Sequence, residues 1–285
     1  AWRGRGVRIC YVVYDLLPIV LPSCFPEDSV PHYESWLKAA SGVSDAIVCI
    51  SRAIADEYCA WFEQEAPGNG IRPHIGYFHL GADMESRNEN QPLSGLESQL
   101  LQTLQSQPYL LMVGTIEPRK GHEQVLNAME LLWSQGYKLS LVVVGSIGWV
   151  SEDFADRLKR TSRDTSSFCL LNYVSDSMLQ SLYQNAAGTM MASLGEGFGL
   201  PLIEAANHGS PLLARDLPVF REVCGDAAWY FHSTDGRELA GELTQWLKLY
   251  ETASLPDSSR LHWKSWAQSA EELTGNIIHQ KWYLD

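Results

Sequence analysis

The chain has few positive charges for its length. Its 21 Lys and Arg residues against 34 Asp and Glu residues give a formal net charge of −13 and a pI of about 5.0. This balance disfavours a general nucleic-acid-binding surface, which needs a basic face. An anionic ligand must therefore be met by a local group of cations. The opening stretch "AWRGRGVR" is basic through Arg3, Arg5 and Arg8, and both a contact with anionic lipid and a solvated chain end fit it.

Several familiar patterns are also missing. The six cysteines form no CxxC pair and no metal-ligand spacing, so we predict reduced thiols in a cytosolic protein. No run approaches the ~18 uninterrupted apolar residues of a membrane span, and no signal-peptide pattern opens the chain. There is neither a GxxxxGK[ST] motif nor a GxGxxG at the first strand–helix unit, which disfavours P-loop and ordinary dehydrogenase folds.

Short β-branched or aromatic runs alternate with longer amphipathic runs, a pattern typical of parallel sheets covered by helices. With 285 residues, the chain is long enough for two α/β domains. We predict a partial first Rossmann-like domain over 1–85 and a polar linker over 86–106. A doubly wound parallel sheet is predicted over 107–255, with strands at "PYLLMVG", "LSLVVVG", "FCLLNYV", "GTMMAS" and "SPLLARD". Residues 256–285 are expected to form a closing helix that packs across the domains.

Two cations follow the first of these strands. After "YLLMVG" the chain reads "TIEPRKGHEQVLNAMELL", so that Arg119 and Lys120 stand at the start of an amphipathic helix. Guanidinium and ammonium donors beside the free N–H groups of a helix start favour phosphate. A solvated turn with adjoining charges is the alternative interpretation.

A glycine-rich turn with two carboxylates follows the strand "GTMMAS". In "GEGFGLPLIE" the glycines allow close backbone approach to a ligand, and the helix that begins near Leu200 offers free N–H groups. Glu196 and Glu204 would repel phosphate there, so hydroxyl groups are their natural partners. A cationic strand end and a hydroxyl-binding strand end in one domain together indicate a nucleotide-sugar site.

At this point the chain resembles a known family. The stretches "GTIEPRKG", "YVSDSMLQSLYQNA" and "SLGEGFGLPLIEAANHGSPLLARDLPVFREVCGDAAWYF" are similar to the retaining GT-B glycosyltransferases with the E-x7-E motif. The likeness is greatest to bacterial mannosyltransferases and rhamnosyltransferases of O-antigen and other surface polysaccharides. It spans the second domain and continues more thinly into the first, through "VVYDLLPIVLPSCFP", "SDAIVCISRAIADE" and "HLGAD".

The resemblance implies roles for particular residues. Arg119 and Lys120 would hold the donor diphosphate, Glu204 the ribose hydroxyls and Glu196 the transferred sugar. The remaining donor-binding positions would be Gly114 beneath the pyrophosphate, Tyr173 and Val174 beside the base, and the backbone around Gly197, Phe198, Gly199 and Leu200. The family is metal-independent and needs no cofactor besides its nucleotide-sugar substrate. Its members are thought to retain anomeric configuration by front-side attack, in which the departing phosphate helps to deprotonate the acceptor hydroxyl.

Two positions depart from the family pattern. Relatives often have His-Asp where this chain has Tyr14-Asp15, so only the role of Asp15 towards sugar or acceptor carries over. Tyr14 is equally consistent with a packing role. A complete first domain would also hold further strand–helix units before "RICYVVYD", so 1–85 is expected to be its latter part, without the family's glycine-rich acceptor-side loop.

The expected function is transfer of a hexose, with mannose from GDP-mannose favoured, onto a lipid-linked glycan at the cytoplasmic face of the membrane. Rhamnosyl or other hexosyl transfer from a dTDP-, GDP- or UDP-sugar is an alternative. A truncated module that binds a nucleotide sugar without turnover is another. An epimerase or phosphorylase on the same architecture is disfavoured, because no lysine suited to pyridoxal phosphate stands out.

Overall fold

The structure is a computed structural model that describes residues 5–65, 72–83 and 92–284. Arg3 and the part 86–91 of the predicted linker lie outside the described residues. The chain divides into two compact units. The first comprises Ala1–Asp83, Gly195–Gly199 and Trp263–Asp285, and the second comprises Met84–Leu194 and Leu200–His262.

The first unit contains a small parallel sheet whose strands follow one another in the order β1-β2-β3. The strand β2 is buried along its whole length. The elements of this unit in chain order are β1 (Cys10–Val13), α1 (Leu17–Val20), α2 (Ser29–Val43), β2 (Ala46–Cys49), α3 (Arg52–Glu65) and β3 (His74–Tyr77).

The second unit is a doubly wound α/β domain, as predicted. Its parallel sheet has the strand order β6-β5-β4-β7-β8-β9. The elements are α4 (Gly95–Leu104), β4 (Tyr109–Val113), α5 (His122–Ser134), β5 (Ser140–Val144), α6 (Glu152–Asp164), β6 (Phe168–Leu171), α7 (Asp176–Asn185), β7 (Gly188–Met191), α8 (Leu200–Asn207), β8 (Leu212–Arg215), α9 (Pro218–Cys224), β9 (Ala228–Phe231) and α10 (Gly236–Glu251).

The order of these strands locates a switch point. β4 pairs with β5 on one side and with β7 on the other, so the chain winds outward to β6 and returns to start again beside β4. Ligands of doubly wound sheets bind beyond the carboxyl ends of the strands at such a point. The core beneath it is apolar and includes Leu110, Met190 and the fully buried Trp246.

The last helix, α11 (Trp266–His279), belongs to the first unit. Its Asn276 donates through Nδ2 to the Tyr77 carbonyl at 2.7 Å. Beyond it, Leu284 forms an antiparallel bridge with Ile75 of β3. The helix that we expected to pack across the domains therefore groups with the sheet of the first unit.

Two segments differ from the sequence prediction. The predicted linker contains α4, which begins at a capping box between Ser94 and Glu97. A polar composition concealed this helix, because capping residues and turn formers are alike in type. The strand β9, with the sequence "AWYF", was also missed.

The six cysteines are free thiols, in agreement with the sequence prediction. Among the described residues, no helix has both the length and the apolar character that crossing a membrane requires.

Candidate functional site

The turn after β4 carries the two predicted phosphate-binding cations. Gly114 ends the strand with a φ of +135°, and Pro118–Lys120 form one turn of 3₁₀ helix. Gly121, with a φ of +72°, then reverses the chain into the amino end of α5. Arg119 and Lys120 are thereby held at the carboxyl end of β4, beside the switch point and at a helix start that favours anions.

Arg119 is oriented by a carboxylate that the sequence analysis did not single out. Its Nε lies 3.0 Å from Glu117 Oε2, and both side chains are largely buried. A charge-assisted contact in such a place fixes the plane of the guanidinium group. Glu117 therefore positions Arg119 and also offsets part of its charge.

His122, the first residue of α5, is buried beside these cations. Burial, and to a smaller extent the positive charge of Lys120, lower its pKa to about 3. The imidazole is therefore neutral at physiological pH and adds no charge to the turn. The local positive charge is that of Arg119 and Lys120.

The turn after β4 is joined to the loop after β7. The Leu194 amide donates to the Arg119 carbonyl at 2.7 Å. A Cβ at position 121 would overlap the Ala192 carbonyl oxygen, so glycine is required there for space as well as for its positive φ. The two strand exits that flank the switch point are in direct backbone contact.

Glu204 is fixed by a neighbouring helix. It lies in α8, which begins at Leu200, and its Oε2 accepts a hydrogen bond of 2.9 Å from the hydroxyl of the fully buried Tyr183 on α7. Burial raises the pKa of Glu204, whereas the Tyr183 hydroxyl lowers it. The hydrogen bond from Tyr183 engages Oε2 and fixes the direction of the Glu204 side chain. Oε1 is the second acceptor of this carboxylate.

The predicted base-flanking residues lie after the edge strand β6. Tyr173 is 92% exposed and Val174 is half-buried. The next residue, Ser175, caps α7, and its hydroxyl donates at 2.6 Å to Oε1 of Glu97 from α4. Hydrogen bonds from Ser175 and Ser94 lower the pKa of Glu97 to about 2. The helix hidden in the predicted linker therefore anchors this loop.

The glycine-rich segment Gly195–Gly199, which contains Glu196, groups with the first unit. The Ser51 hydroxyl, just beyond β2, donates to the Gly197 carbonyl at 2.9 Å. A Cβ on Gly197 would overlap the Tyr14 carbonyl oxygen, just beyond β1. The Phe198 ring contacts His79, just beyond β3, with ring centroids 5.4 Å apart. The segment thus lies on the carboxyl ends of the three strands.

The Tyr14-Asp15 pair lies at the same strand ends. Tyr14 is 60% exposed, which argues against the packing role left open for it. Asp15 accepts the Leu17 amide at 3.1 Å through Oδ1, and its carbonyl accepts the Tyr33 hydroxyl. Glu57 of α3 is a further carboxyl group near Asp15: burial and then the Asp15 charge raise its pKa to about 7. Sequence spacing offered no signal for Glu57.

The structure sorts the predicted site residues into two sets. One set belongs to the strand ends of the second unit: Gly114, Arg119, Lys120, Tyr173, Val174, Leu200 and Glu204. The other belongs to those of the first unit: Asp15, Glu196, Gly197, Phe198 and Gly199. Their assigned roles in binding and catalysis stay predictions.

Two solved structures share the fold of this chain. The chain is similar to Anabaena HepE, solved with UDP and glucose, at a TM-score of 0.66 and 16% identity, over 98% of this chain and 72% of that one. It is similar to an α,α-trehalose-phosphate synthase from Burkholderia xenovorans at a TM-score of 0.70 and 16% identity, over 98% of this chain and 68% of that one. The fold is therefore that of the GT-B glycosyltransferases, which confirms the predicted fold class.

Sequence comparison gives the family. The family model "Glycosyl transferases group 1" matches residues 98–258, and the chain belongs to this family. It is 36% identical over 279 residues to the serotype-specific mannosyltransferase WbdA of Escherichia coli, and the match covers 96% of this chain and 34% of WbdA. It is 26% identical over 268 residues to the O-antigen chain mannosyltransferase B of Escherichia coli, over 92% of this chain and 68% of that protein. The chain spans about a third of the length of the WbdA relatives.

Proposed function

We propose that the chain is the donor-binding part of a retaining mannosyltransferase that extends a surface polysaccharide. The support comes from two directions. The relatives named above are mannosyltransferases of serotype-specific or O-antigen chains. Arg119 and Lys120 also stand at the switch point of a doubly wound sheet, where such sheets bind their ligands. This position of two cations in a chain of net charge −13 is the observation that carries the proposal.

On this proposal the donor is GDP-mannose, and the second unit binds its nucleotide. Arg119 and Lys120 bind the diphosphate and neutralise the charge that grows on it as the sugar departs. Glu204, aimed by Tyr183, accepts hydrogen bonds from the ribose hydroxyls. Tyr173 and Val174 flank the base from a loop that Glu97 anchors.

The sugar and acceptor are assigned to residues of the first unit. Glu196 binds hydroxyls of the mannose, and Asp15 binds a hydroxyl of the sugar or acceptor. The bond from the anomeric carbon to the diphosphate oxygen breaks, and a bond to the acceptor oxygen forms on the same face. The acceptor proton passes to the departing phosphate. The reaction needs neither metal ion nor cofactor, and the protein contributes position and electrostatics.

The acceptor on this proposal is a lipid-linked glycan, met at the cytoplasmic face of the membrane by a peripherally bound protein. The basic start, which includes Arg5 and Arg8 among the described residues, would support contact with anionic lipid. Co-sedimentation with vesicles of anionic and of neutral lipid tests this point. Equal recovery with both compositions would contradict an electrostatic contact.

The donor is tested by calorimetric titration of GDP, UDP and dTDP into the protein. We expect GDP to bind most tightly. A preference for UDP or dTDP would replace GDP-mannose by another hexosyl or rhamnosyl donor. Binding of none of the three would overturn the site assignment.

Turnover is tested with the full-length gene product, GDP-mannose and a lipid-linked acceptor. Mannose transfer with retained configuration is the expected result. Transfer by the full-length product but not by these 285 residues would mark the chain as a nucleotide-sugar-binding module of a longer enzyme. Nucleotide binding without transfer by either form would contradict the transferase proposal.

A further inference from the structure

A buried arginine lies behind the proposed diphosphate site. Arg215 is the last residue of β8 and is 6% exposed. Its Nε donates to the carbonyl of Ser193 at 3.0 Å, and its Nη2 donates to the carbonyl of Ala192 at 3.0 Å. Both carbonyls belong to the loop after β7.

The other bonds of Arg215 reach two further segments of the second unit. Nη1 donates to the Ser233 carbonyl, beyond β9, at 2.7 Å, and Nη2 also donates to Oε1 of Gln124 on α5. The same Gln124 donates through Nε2 to the carbonyls of Ser233 and Asp235, each at 3.0 Å. The planar guanidinium group, with five N–H donors, therefore joins the exits of β7 and β9 to α5. A lysine ammonium group could not replace it, because an ammonium group has fewer donors and lacks the planar fork.

The β7 exit, residues 192–194, contacts both Arg215 and the turn that carries Arg119 and Lys120. Ala192 contributes the carbonyl against which Gly121 packs, and Leu194 donates its amide to the Arg119 carbonyl. A shift of residues 192–194 would therefore displace the backbone of Arg119 and Lys120. The path from Arg215 to the turn runs through one short peptide segment.

We propose that Arg215 is a positioning residue for the Arg119–Lys120 turn, setting the geometry with which the turn meets the second phosphate of a nucleoside diphosphate. The inference rests on the proposed nucleotide-binding function. The inference does not require direct contact between Arg215 and the ligand. It predicts that loss of the guanidinium fork weakens recognition of a diphosphate more than recognition of a monophosphate.

The test compares GDP with GMP by calorimetry in the wild type, Arg215→Lys and Arg215→Gln. We expect GDP affinity to fall about tenfold in both variants, the change that about 1.4 kcal/mol produces. GMP affinity should fall by less than about threefold, because the ribose contact of Glu204 does not depend on Arg215. Equal losses for both nucleotides, or no loss for either, would overturn the inference.

Arg221→Lys is the matched control. Arg221 lies in α9, pairs with Asp216 at 2.7 Å and covers the Tyr230 ring, and both of these partners lie outside the β7 exit. Its GDP-to-GMP preference should equal that of the wild type. A drop in this control as large as that of Arg215→Lys would also contradict a specific role for Arg215.

A second variant covers the case in which Arg215→Lys does not fold. Gln124→Met keeps Arg215 and removes one of its partners, and we expect a smaller loss of GDP-over-GMP preference in the same direction. An unchanged preference in a folded Gln124→Met protein would overturn the inference. Failure of the wild type to bind GDP at all would instead overturn the proposed function.

Discussion

In the second unit the strand ends carry cations held in a network of backbone hydrogen bonds, whereas in the first unit the strand ends carry carboxylates, hydroxyls and aromatic rings. Arg119 and Lys120 follow β4, while Tyr14 and Asp15 follow β1. Both sheets are parallel and covered by helices, so the backbone does not account for the difference. The difference lies in the side chains at the strand ends, and it supports the proposal that the second unit binds the diphosphate and the first unit the sugar hydroxyls.

Glu196 gives the strongest test of this difference between the units, because it groups with the first unit although the chain reaches it from β7 of the second. We expect Glu196→Gln to reduce mannose transfer by about 100-fold or more, the scale for losing one preorganised polar contact in a transition state. GDP affinity should change less than about twofold. Turnover of the full-length protein and calorimetry measure the two effects.

The control for this variant is Glu271→Gln, at an exposed position of α11, which should leave both quantities unchanged. A Glu196→Gln protein that still transfers sugar would refute the role of Glu196. One that loses GDP affinity instead would place Glu196 functionally with the cations of the second unit.

The contact between the two strand exits of the second unit is tested by Gly121→Ala. Its Cβ would overlap the Ala192 carbonyl oxygen at a φ of +72°, so we expect a loss of about 2–5 kcal/mol in unfolding free energy. Gly136→Ala has a similar φ of +87° with open space around the Cβ, and strain alone should cost about 1–2 kcal/mol. Urea unfolding measures both, and equal losses would mean that the close contact is not needed.

Glu204 is the one carboxylate among the predicted site residues of the second unit. Its proposed role is tested through its partner Tyr183. Tyr183→Phe removes the hydrogen bond to Oε2 and should lower the preference for GDP over its 2′-deoxy analogue by about 2- to 10-fold, the worth of one hydrogen bond. Tyr109→Phe, which removes a buried hydroxyl bonded to the Leu182 carbonyl, is the control. A preference that falls equally in both variants would point to general loosening of this region.

The smallest effect concerns Glu57 in the first unit. Burial raises its pKa to about 7 from an ordinary 4.5, so between pH 4.5 and 7 the carboxyl is protonated when folded and ionised when unfolded. Wild-type stability should therefore fall as pH rises through this window. Glu57→Gln, which lacks the proton equilibrium, should gain in melting temperature relative to the wild type as the pH rises through this window.

Glu63→Gln is the control, on the same helix and more exposed. Its melting temperature relative to the wild type should not change with pH in this window. A difference between Glu57→Gln and the wild type that is constant with pH would mean that Glu57 is ionised when folded.

Much of the second unit follows from local sequence. The runs "YLLMV" and "SLVVV" could be read as buried strands because they are apolar and short, and the turn with Arg119 and Lys120 follows the first of them directly. Strand and helix order then place that turn and the β7 exit at one edge, since the carboxyl ends of parallel strands share an edge. The fold class and the positions of these motifs were therefore predictable.

The supporting side chains were not predictable in this way. Arg215 and Glu97 act through partners that are distant in the chain, 91 residues away in the bond from Arg215 to Gln124 and 78 residues away in the bond from Ser175 to Glu97. No local spacing reveals such pairs, because the two partners meet only after the sheet has formed. The grouping of the Gly195–Gly199 segment with the first unit has the same origin, since Gly197 of this segment contacts Tyr14 and Ser51.

We propose that the strand ends of the second unit bind the diphosphate of a nucleotide sugar through Arg119 and Lys120. Calorimetric titration of GDP into the wild type, Arg119→Ala and Lys120→Ala tests it most directly. We predict that each variant binds about 10- to 150-fold more weakly, as expected for the loss of hydrogen bonds to a charged group. Unchanged GDP affinity in both variants would contradict the claim.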